Sequence, residues 1–313
     1  MALSIKENYL EAINYGSPEY VPMACEELWH SIRLDGAGIY YNTTDSFGVF
    51  WESAADGTVP FPKGNPLKDL KRQLSDYKFP SPDSLVMNPD TLDYIKTIDR
   101  SKYLINGDMI YFCFERVWAL MGMETFFSAL FEFPDEVRYV LHEIAKYARG
   151  IFDRYLELGV DSISFSEDLG SQRALMISPK HFREFFIPEY KYAFENVLKE
   201  GKIINFHSCG CVDEIVRDLA EIGVKILNPI QARANDLYKI KSDVSDKMAL
   251  CGGIDTHMIL TGSPDEVKAE VIRVMEILKP GGGYICSTDQ YFPNMPEENI
   301  YTLWKTAKEV GRY

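Results

Sequence analysis

The sequence predicts an α/β protein: a single-domain (β/α)8 TIM barrel over residues 1–313 with an N-terminal helical and loop extension. Three observations predict it. From about residue 100 onward, short apolar runs of strand length alternate with helical stretches of about 10–15 residues, the rhythm of βαβ units on a parallel sheet. A chain of 313 residues is an ordinary length for one such barrel. No G-x-G-x-x-G follows a first strand, which disfavours a dinucleotide-binding doubly wound sheet.

The elements follow in order. Residues 4–14 read as a helix, with Ser4 as its cap and Glu7 at the capping-box position. The run Val21-Pro22-Met23-Ala24-Cys25 reads as the first strand, ended by Glu26-Glu27. Residues 36–66 have no period and many Gly, Pro and Asn, so they read as a long loop. That loop carries Tyr40, Tyr41, Phe47, Phe50, Trp51 and Phe61. Pro80, Pro82 and Pro89 mark a second break at 80–90. Strands are then expected at 102–108, 161–166, 202–206, 225–227, 248–251 and 283–286. Helices are expected at 115–131, 135–158, from Pro179, at 211–221, 235–242 and 264–279, and from Pro296. The count is about seven strands, with the eighth expected in the irregular first third.

Composition narrows the function. Hydrophobic residues make up 46% of the chain, enough for a large core. There is no apolar run of about 18 residues, so no membrane span is expected. The opening Met1-Ala2-Leu3-Ser4-Ile5-Lys6-Glu7 lacks a signal peptide's apolar stretch. A net charge of −14, from 33 basic and 47 acidic residues, argues against nucleic acid as a partner. Six cysteines (25, 113, 209, 211, 251 and 286) are too few for a disulfide framework in a chain of this size, and the expectation is a reducing cytoplasm.

The chemistry points to His207-Ser208-Cys209-Gly210. Side chains two residues apart on an extended segment face the same way. One more thiolate from a neighbouring strand, Cys286, would complete a three-ligand zinc site with an open fourth position, as in catalytic zinc centres. A lone His-x-Cys is a weak signal, because buried cysteines are mostly small hydrophobes. Placement strengthens it. Glu26, Asp108, Glu167-Asp168, His207/Cys209, Asn228/Gln231, Asp255 and Cys286 each follow the apolar part of a different strand. Barrel strands deliver such residues to one mouth. Asp108 is a candidate for catalysis or proton transfer. Glu26, Asn228, Gln231, Asp255 and Tyr291 are candidates for substrate binding. Glu167 and Asp168 read as an orienting or catalytic pair, or as caps of the following turn. Glu115-Arg116 reads as a local ion pair, and Cys251 as core.

His207-Ser208-Cys209-Gly210, Asn228-Pro229-Ile230-Gln231, Gly252-Gly253-Ile254-Asp255, Pro280-Gly281-Gly282-Gly283-Tyr284 and Pro296-Glu297-Glu298-Asn299-Ile300 come in this order, after Glu167-Asp168-Leu169-Gly170. Together they resemble the uroporphyrinogen decarboxylase superfamily, and more closely its corrinoid-dependent zinc methyltransferase branch. The resemblance covers most of residues 100–313 and is weaker over 27–100. It implies a (β/α)8 barrel and zinc held by His207, Cys209 and Cys286, with Glu167 as candidate acidic ligand. It also implies a corrinoid (cobalamin) carried by a separate protein that docks transiently at the mouth, since no Asp-x-His-x-x-Gly motif is present. A homodimer is left open.

The expected activity is transfer of a methyl group from a small donor, an aryl methyl ether first, to cob(I)alamin. The aromatics of loop 40–61, with Phe112, Phe114, Trp118, Tyr291 and Phe292, favour a flat apolar donor. The first alternative is transfer from methylcobalamin to a thiol such as coenzyme M, which a zinc with two thiolate ligands would suit. The second is a uroporphyrinogen-type decarboxylase. It is disfavoured because Arg33 is the one arginine before residue 72, whereas an octa-acid substrate needs a basic cavity.

Overall fold

The structure is a computed structural model that describes residues 2–35, 37–39, 42–53, 60–244 and 246–313. Gly36, Tyr40, Tyr41 and Gly57 of the expected long loop lie outside the described residues. Strand β1 (Trp29–Ile32) precedes a small sheet of β2 (Thr43–Thr44), β3 (Phe50–Glu52) and β4 (Phe61–Lys63). Then come β5 (Leu104–Met109), β6 (Ser162–Ser166), β7 (Ile203–His207), β8 (Ile226–Ile230), β9 (Ala249–Ile254) and β10 (Tyr284–Thr288). Strands β1 and β5 to β10 form one curled sheet in the order β1-β5-β6-β7-β8-β9-β10, and every pairing is parallel. This is the expected α/β barrel architecture, with helices packed around a parallel sheet.

The hydrogen-bonded ladder does not close into a ring among the described residues. Residues 22–24 cover the free edge of β10. Cys286 N donates to Pro22 O at 2.8 Å and Ala24 N to Cys286 O at 3.0 Å. The chain then turns, and Leu28 O accepts from Leu104 N at 2.9 Å as β1 joins β5. The expected first strand at Val21–Cys25 is therefore a short edge pairing, and the ladder strand is Trp29–Ile32. Polar His30 and Ser31 hid that strand from a pattern search.

Strand parity sets the two faces of the sheet. On β7, Ile204 and Phe206 face the large outer core under the helices, while Ile203 packs in a smaller cluster inside the curl. That inner cluster joins Tyr9 and Ile13 of the first helix to Leu104, Ile226, Ala249 and Ile285, residues at or near the N-terminal ends of their strands. The helix Ile5–Ile13, with its Ser4/Glu7 capping box, plugs that end of the curl. Gly283 N donates to Ala12 O at 3.1 Å, and Tyr15 Oη to Met248 O at 2.8 Å. A Cβ at Gly283 would stand 2.1 Å from the Tyr15 ring, so only glycine fits there.

Several expectations are corrected locally. The 36–66 segment is not plain loop but holds the β2–β3–β4 antiparallel sheet. Asp45 organises it, accepting from Phe47 N, Val49 N and Trp51 Nε1. The 80–90 break is followed at once by a helix, Pro89–Thr97, capped by Asn88. The helix expected at 115–131 is two helices, Cys113–Met121 and Met123–Glu132, divided at Gly122 with φ +82°. The helix expected at 211–221 begins only at Val216. A short helix, Thr256–Thr261, capped by Asp255, was not foreseen. No described helix is long and apolar enough to cross a membrane.

Candidate active site

Among the described residues, the C-terminal ends of β6 and β7 bring together a group of side chains that could hold a metal ion. His207 ends β7, and its Nδ1 donates to Asn228 Oδ1 at 3.1 Å. That bond leaves Nε2 as the free lone pair, the usual way a protein presents a histidine to a metal. Cys209 Sγ lies 3.5 Å from His207 Nε2. Asp168 Oδ1 lies 3.7 Å from the same nitrogen and accepts from Cys209 N at 2.8 Å. Ligand atoms of Asp168, His207 and Cys209 all fall within 4.8 Å of one another. A tetrahedral zinc with bonds of about 2.0–2.3 Å separates its ligands by about 3.3–3.8 Å, so this donor set is compatible with zinc.

Two loops hold the cluster. Gly170 N donates to Cys209 O at 3.2 Å and Cys211 N to Ser171 O at 2.8 Å. A Cβ on Gly210 (φ +83°) would meet the Gly170 carbonyl at 2.2 Å, so the β6 and β7 loops touch at backbone level. Gln231 stitches the contact from β8's exit, with Oε1 accepting from Gly210 N at 2.9 Å and from Gln172 Nε2 at 3.1 Å. Ser208 Oγ, buried, accepts from Leu169 N at 3.1 Å. Burial first, then the Asp168 carboxylate, pushes the Cys209 thiol well above its ordinary range. A bound cation would reverse that balance, since the thiolate is the metal ligand.

Two expected ligands are elsewhere. Cys286 does not join His207 and Cys209. It shares a face of β10 with Tyr284 in the outer core, while Ile285 and Cys251 face inward. Gln290, just past β10, is the residue that reaches the cluster, its Nε2 4.0 Å from Cys209 Sγ. Glu167 is fully buried and points away from the cluster. Its Oε1 accepts from Phe114 N at 2.7 Å and Tyr190 Oη at 2.6 Å, and Oε2 from Glu115 N at 3.2 Å. From the exit of the neighbouring strand it caps the helix Cys113–Met121, and Asp168 lies in the cluster instead. Burial raises the Glu167 carboxyl to about 7 against these three bonds.

The mouth pocket, about 430 Å3, lies over the cluster and is lined by Arg33, Ile39, Tyr111, Glu115, Asp168, His207, Cys209 and Gln290 among others. Asp108 reaches a neighbouring pocket that shares His207 and Arg33. It is ion-paired with Arg33, and its Oδ1 accepts from Ser164 Oγ at 3.0 Å. Arg33 thus stands at the mouth as a cation already engaged. Tyr111 adopts φ +59°, held by its N–H to Ser166 Oγ at 2.9 Å and by stacking on Trp51 at 4.9 Å.

Glu115 was missed as a site residue. It does not pair with Arg116, which instead forms a buried ion pair with Asp45 and lies over the Phe47 ring at 4.5 Å. Glu115 has one carboxylate oxygen, Oε2, without a partner. Burial first, and Asp168 next, push its carboxyl well up. Its signal was position: it sits in the first turn of a helix that starts just beyond β5.

The remaining candidates separate from the cluster. Asp255 caps Thr256–Thr261 through His257 N at 2.9 Å and binds Arg233 Nε at 2.6 Å. Tyr291 is half exposed and stacks on Trp304. Phe112 and Phe114 are core, as is Cys251, so the aromatic argument for the pocket reduces largely to Tyr111. Glu26 lines a lower cavity with Asn205 and Asn228.

A family model described as uroporphyrinogen decarboxylase (URO-D) matches residues 115–310. The chain belongs to the uroporphyrinogen decarboxylase family. The match spans β6 to β10 and contains Asp168, His207 and Cys209. Among solved structures, a methyltransferase from Methanosarcina mazei superposes with a TM-score of 0.72 at 19% identity, covering 98% of this chain and 99% of that one. That likeness places both proteins on one fold. A B12-independent methionine synthase from Shewanella sp. W3-18-1 gives a TM-score of 0.49 at 12% identity, over 72% of this chain and 68% of that one. No curated protein matches the sequence.

Proposed function

We propose that this member of the uroporphyrinogen decarboxylase family is a zinc-dependent methyltransferase that passes a methyl group from a small donor to the cob(I)alamin of a separate corrinoid protein. The observation that carries the reading is the Asp168/His207/Cys209 cluster, a zinc donor set open towards a pocket. The shared fold with a methyltransferase supports it.

When bound, zinc would supply a Lewis acid for the heteroatom that loses or gains the methyl group. The chain's own residues prepare the site. Asn228 fixes the His207 ring, and Cys209 N–H fixes the Asp168 carboxylate. Glu115, buried with a free oxygen beside Asp168, is placed to hold a proton near the leaving heteroatom. Arg33 pairs with Asp108 and orients it at the rim.

An aryl methyl ether remains the first donor to assay, with Tyr111 as its stacking wall. Transfer from methylcobalamin to a thiol is the second reading. Asp168 and Cys209 bring two negative charges to the metal, and a formally neutral zinc carries thiolates well. The test mixes the zinc-loaded protein, free cob(I)alamin and a methoxyarene, and follows methylcobalamin by absorbance. Formation that depends on protein, and is lost in His207→Ala, supports the reading. Methylcobalamin consumed only when a thiol is added reverses the direction. Neither change, together with carbon dioxide release from a carboxylated pyrrole, moves the protein to decarboxylation.

A further inference from the structure

We infer that the barrel interior beneath His207 is a binding well for the ammonium group of a small organic cation. The interior of such barrels is ordinarily filled by bulky branched side chains. Here a cavity of about 130 Å3 lies between residues 23–29 and the inner faces of β7, β8 and β9. Glu26 is one of its lining residues. The partners of its carboxylate are Met23 N at 3.2 Å and the Tyr20 hydroxyl, and no Lys, Arg or His forms an ion pair with it among the described residues. Burial in the well pushes that carboxyl above its ordinary range.

Three further features ask for the same kind of guest. Asn205 Oδ1 is buried with no hydrogen-bond partner, so it is an acceptor in need of a donor. Tyr9 and Trp29, ring centroids 5.6 Å apart at 80°, wall the cavity with aromatic surface, which attracts cations. Ile226 and Ile285 offer apolar walls for an alkyl chain. Among the described residues, none in the lining offers a cationic side chain to an anion. A carboxylate, an orphan amide oxygen and aromatic rings together select a small alkylammonium.

The well connects to the metal cluster. Asn205 and Asn228 also line the pocket above, which reaches His207. Asn205 and His207 are two residue steps apart on β7, about 6.6 Å of rise. An ammonium seated beside Glu26 would leave a short chain free to extend past Asn205 and Asn228 into the pocket that reaches His207. This deepens the proposed function by giving its substrate an ammonium tail and a reacting heteroatom at the far end. The far end rests on that reading; the cation well does not.

The test uses the full chain and ligand-observed NMR with propylammonium chloride, with 1-propanol as the neutral comparison. Propylammonium should bind the wild type and lose about tenfold or more in affinity in Glu26→Gln, while any 1-propanol signal stays the same in both. A thermal melt confirms that the variant is folded. Should it fail to fold, Trp29→Leu replaces it and should weaken the cation in the same direction. His207→Ala, which removes the metal cluster, should keep propylammonium binding, so failure of the methyl-transfer reading is told apart from failure of the well. Absence of binding to the wild type, or equal binding to Glu26→Gln, overturns the inference.

Discussion

Glu167 and Asp168 are neighbours in sequence and face opposite duties. Glu167 accepts two backbone N–H groups and a tyrosine hydroxyl in the core, and Asp168 turns out to His207 and Cys209. Glu167→Ala would leave those buried donors unpaired and should lower unfolding free energy by about 2–4 kcal/mol, with metal content unchanged. Asp168→Ala, half exposed, should stay within about 1 kcal/mol of wild type and lose the metal. Urea unfolding alongside metal analysis separates the two. A stable Glu167→Ala protein that has lost its metal would contradict the assignment. At this scale His207-x-Cys209 was legible because a period of two fixes which side chains share a face. Cys286 was misplaced for the same reason. One residue of parity puts Ile285, not Cys286, on the inner face, and sequence spacing alone does not give the parity. Glu115 was hidden by Arg116, whose partner Asp45 is far away in sequence.

The small β2–β3–β4 sheet is the element the sequence concealed most. Its strands are two or three residues long, and it hangs on Asp45, which pairs with Arg116 and is as buried as that arginine. Breaking such a pair leaves a buried charge alone. Asp45→Ala should therefore cost about 3–5 kcal/mol in urea unfolding and speed proteolysis between residues 42 and 63. Unchanged stability would mean that the pair is incidental. The strands β5 to β10 were legible, because each is a short apolar run between helices. β1 was not, because its place follows from pairing with β5 rather than from its own composition. The helix cap Ser4/Glu7 was readable locally, whereas the cap supplied by Glu167 comes from another strand.

Across the whole molecule, buried acids set the response to pH. Burial, with Asp255 adding to it, raises the Asp289 carboxyl to about 7 from an ordinary 3.8. Glu167 also rests at about 7. The folded chain therefore keeps protons that the unfolded chain releases above about pH 4. Their contribution to stability is complete below that point and is lost as pH rises through about 7. The urea midpoint of metal-free protein should fall between pH 5 and pH 8, and Asp289→Asn should flatten that fall. An equally steep fall in the variant would remove Asp289 from the account. The barrel as a whole was legible from alternation and length. That its interior sets Asn205, Asn228 and Glu26 beside the inner apolar cluster emerges only when the strands are set side by side.

The central claim is that Asp168, His207 and Cys209 form the metal centre and Cys286 does not. The direct measurement is zinc content, by mass spectrometry, of anaerobically purified wild type beside Asp168→Ala, Cys209→Ala and Cys286→Ala. The account predicts about one zinc per chain in wild type and in Cys286→Ala, and loss in the other two. A wild type without zinc, or zinc lost with Cys286 and kept without Asp168, would contradict it.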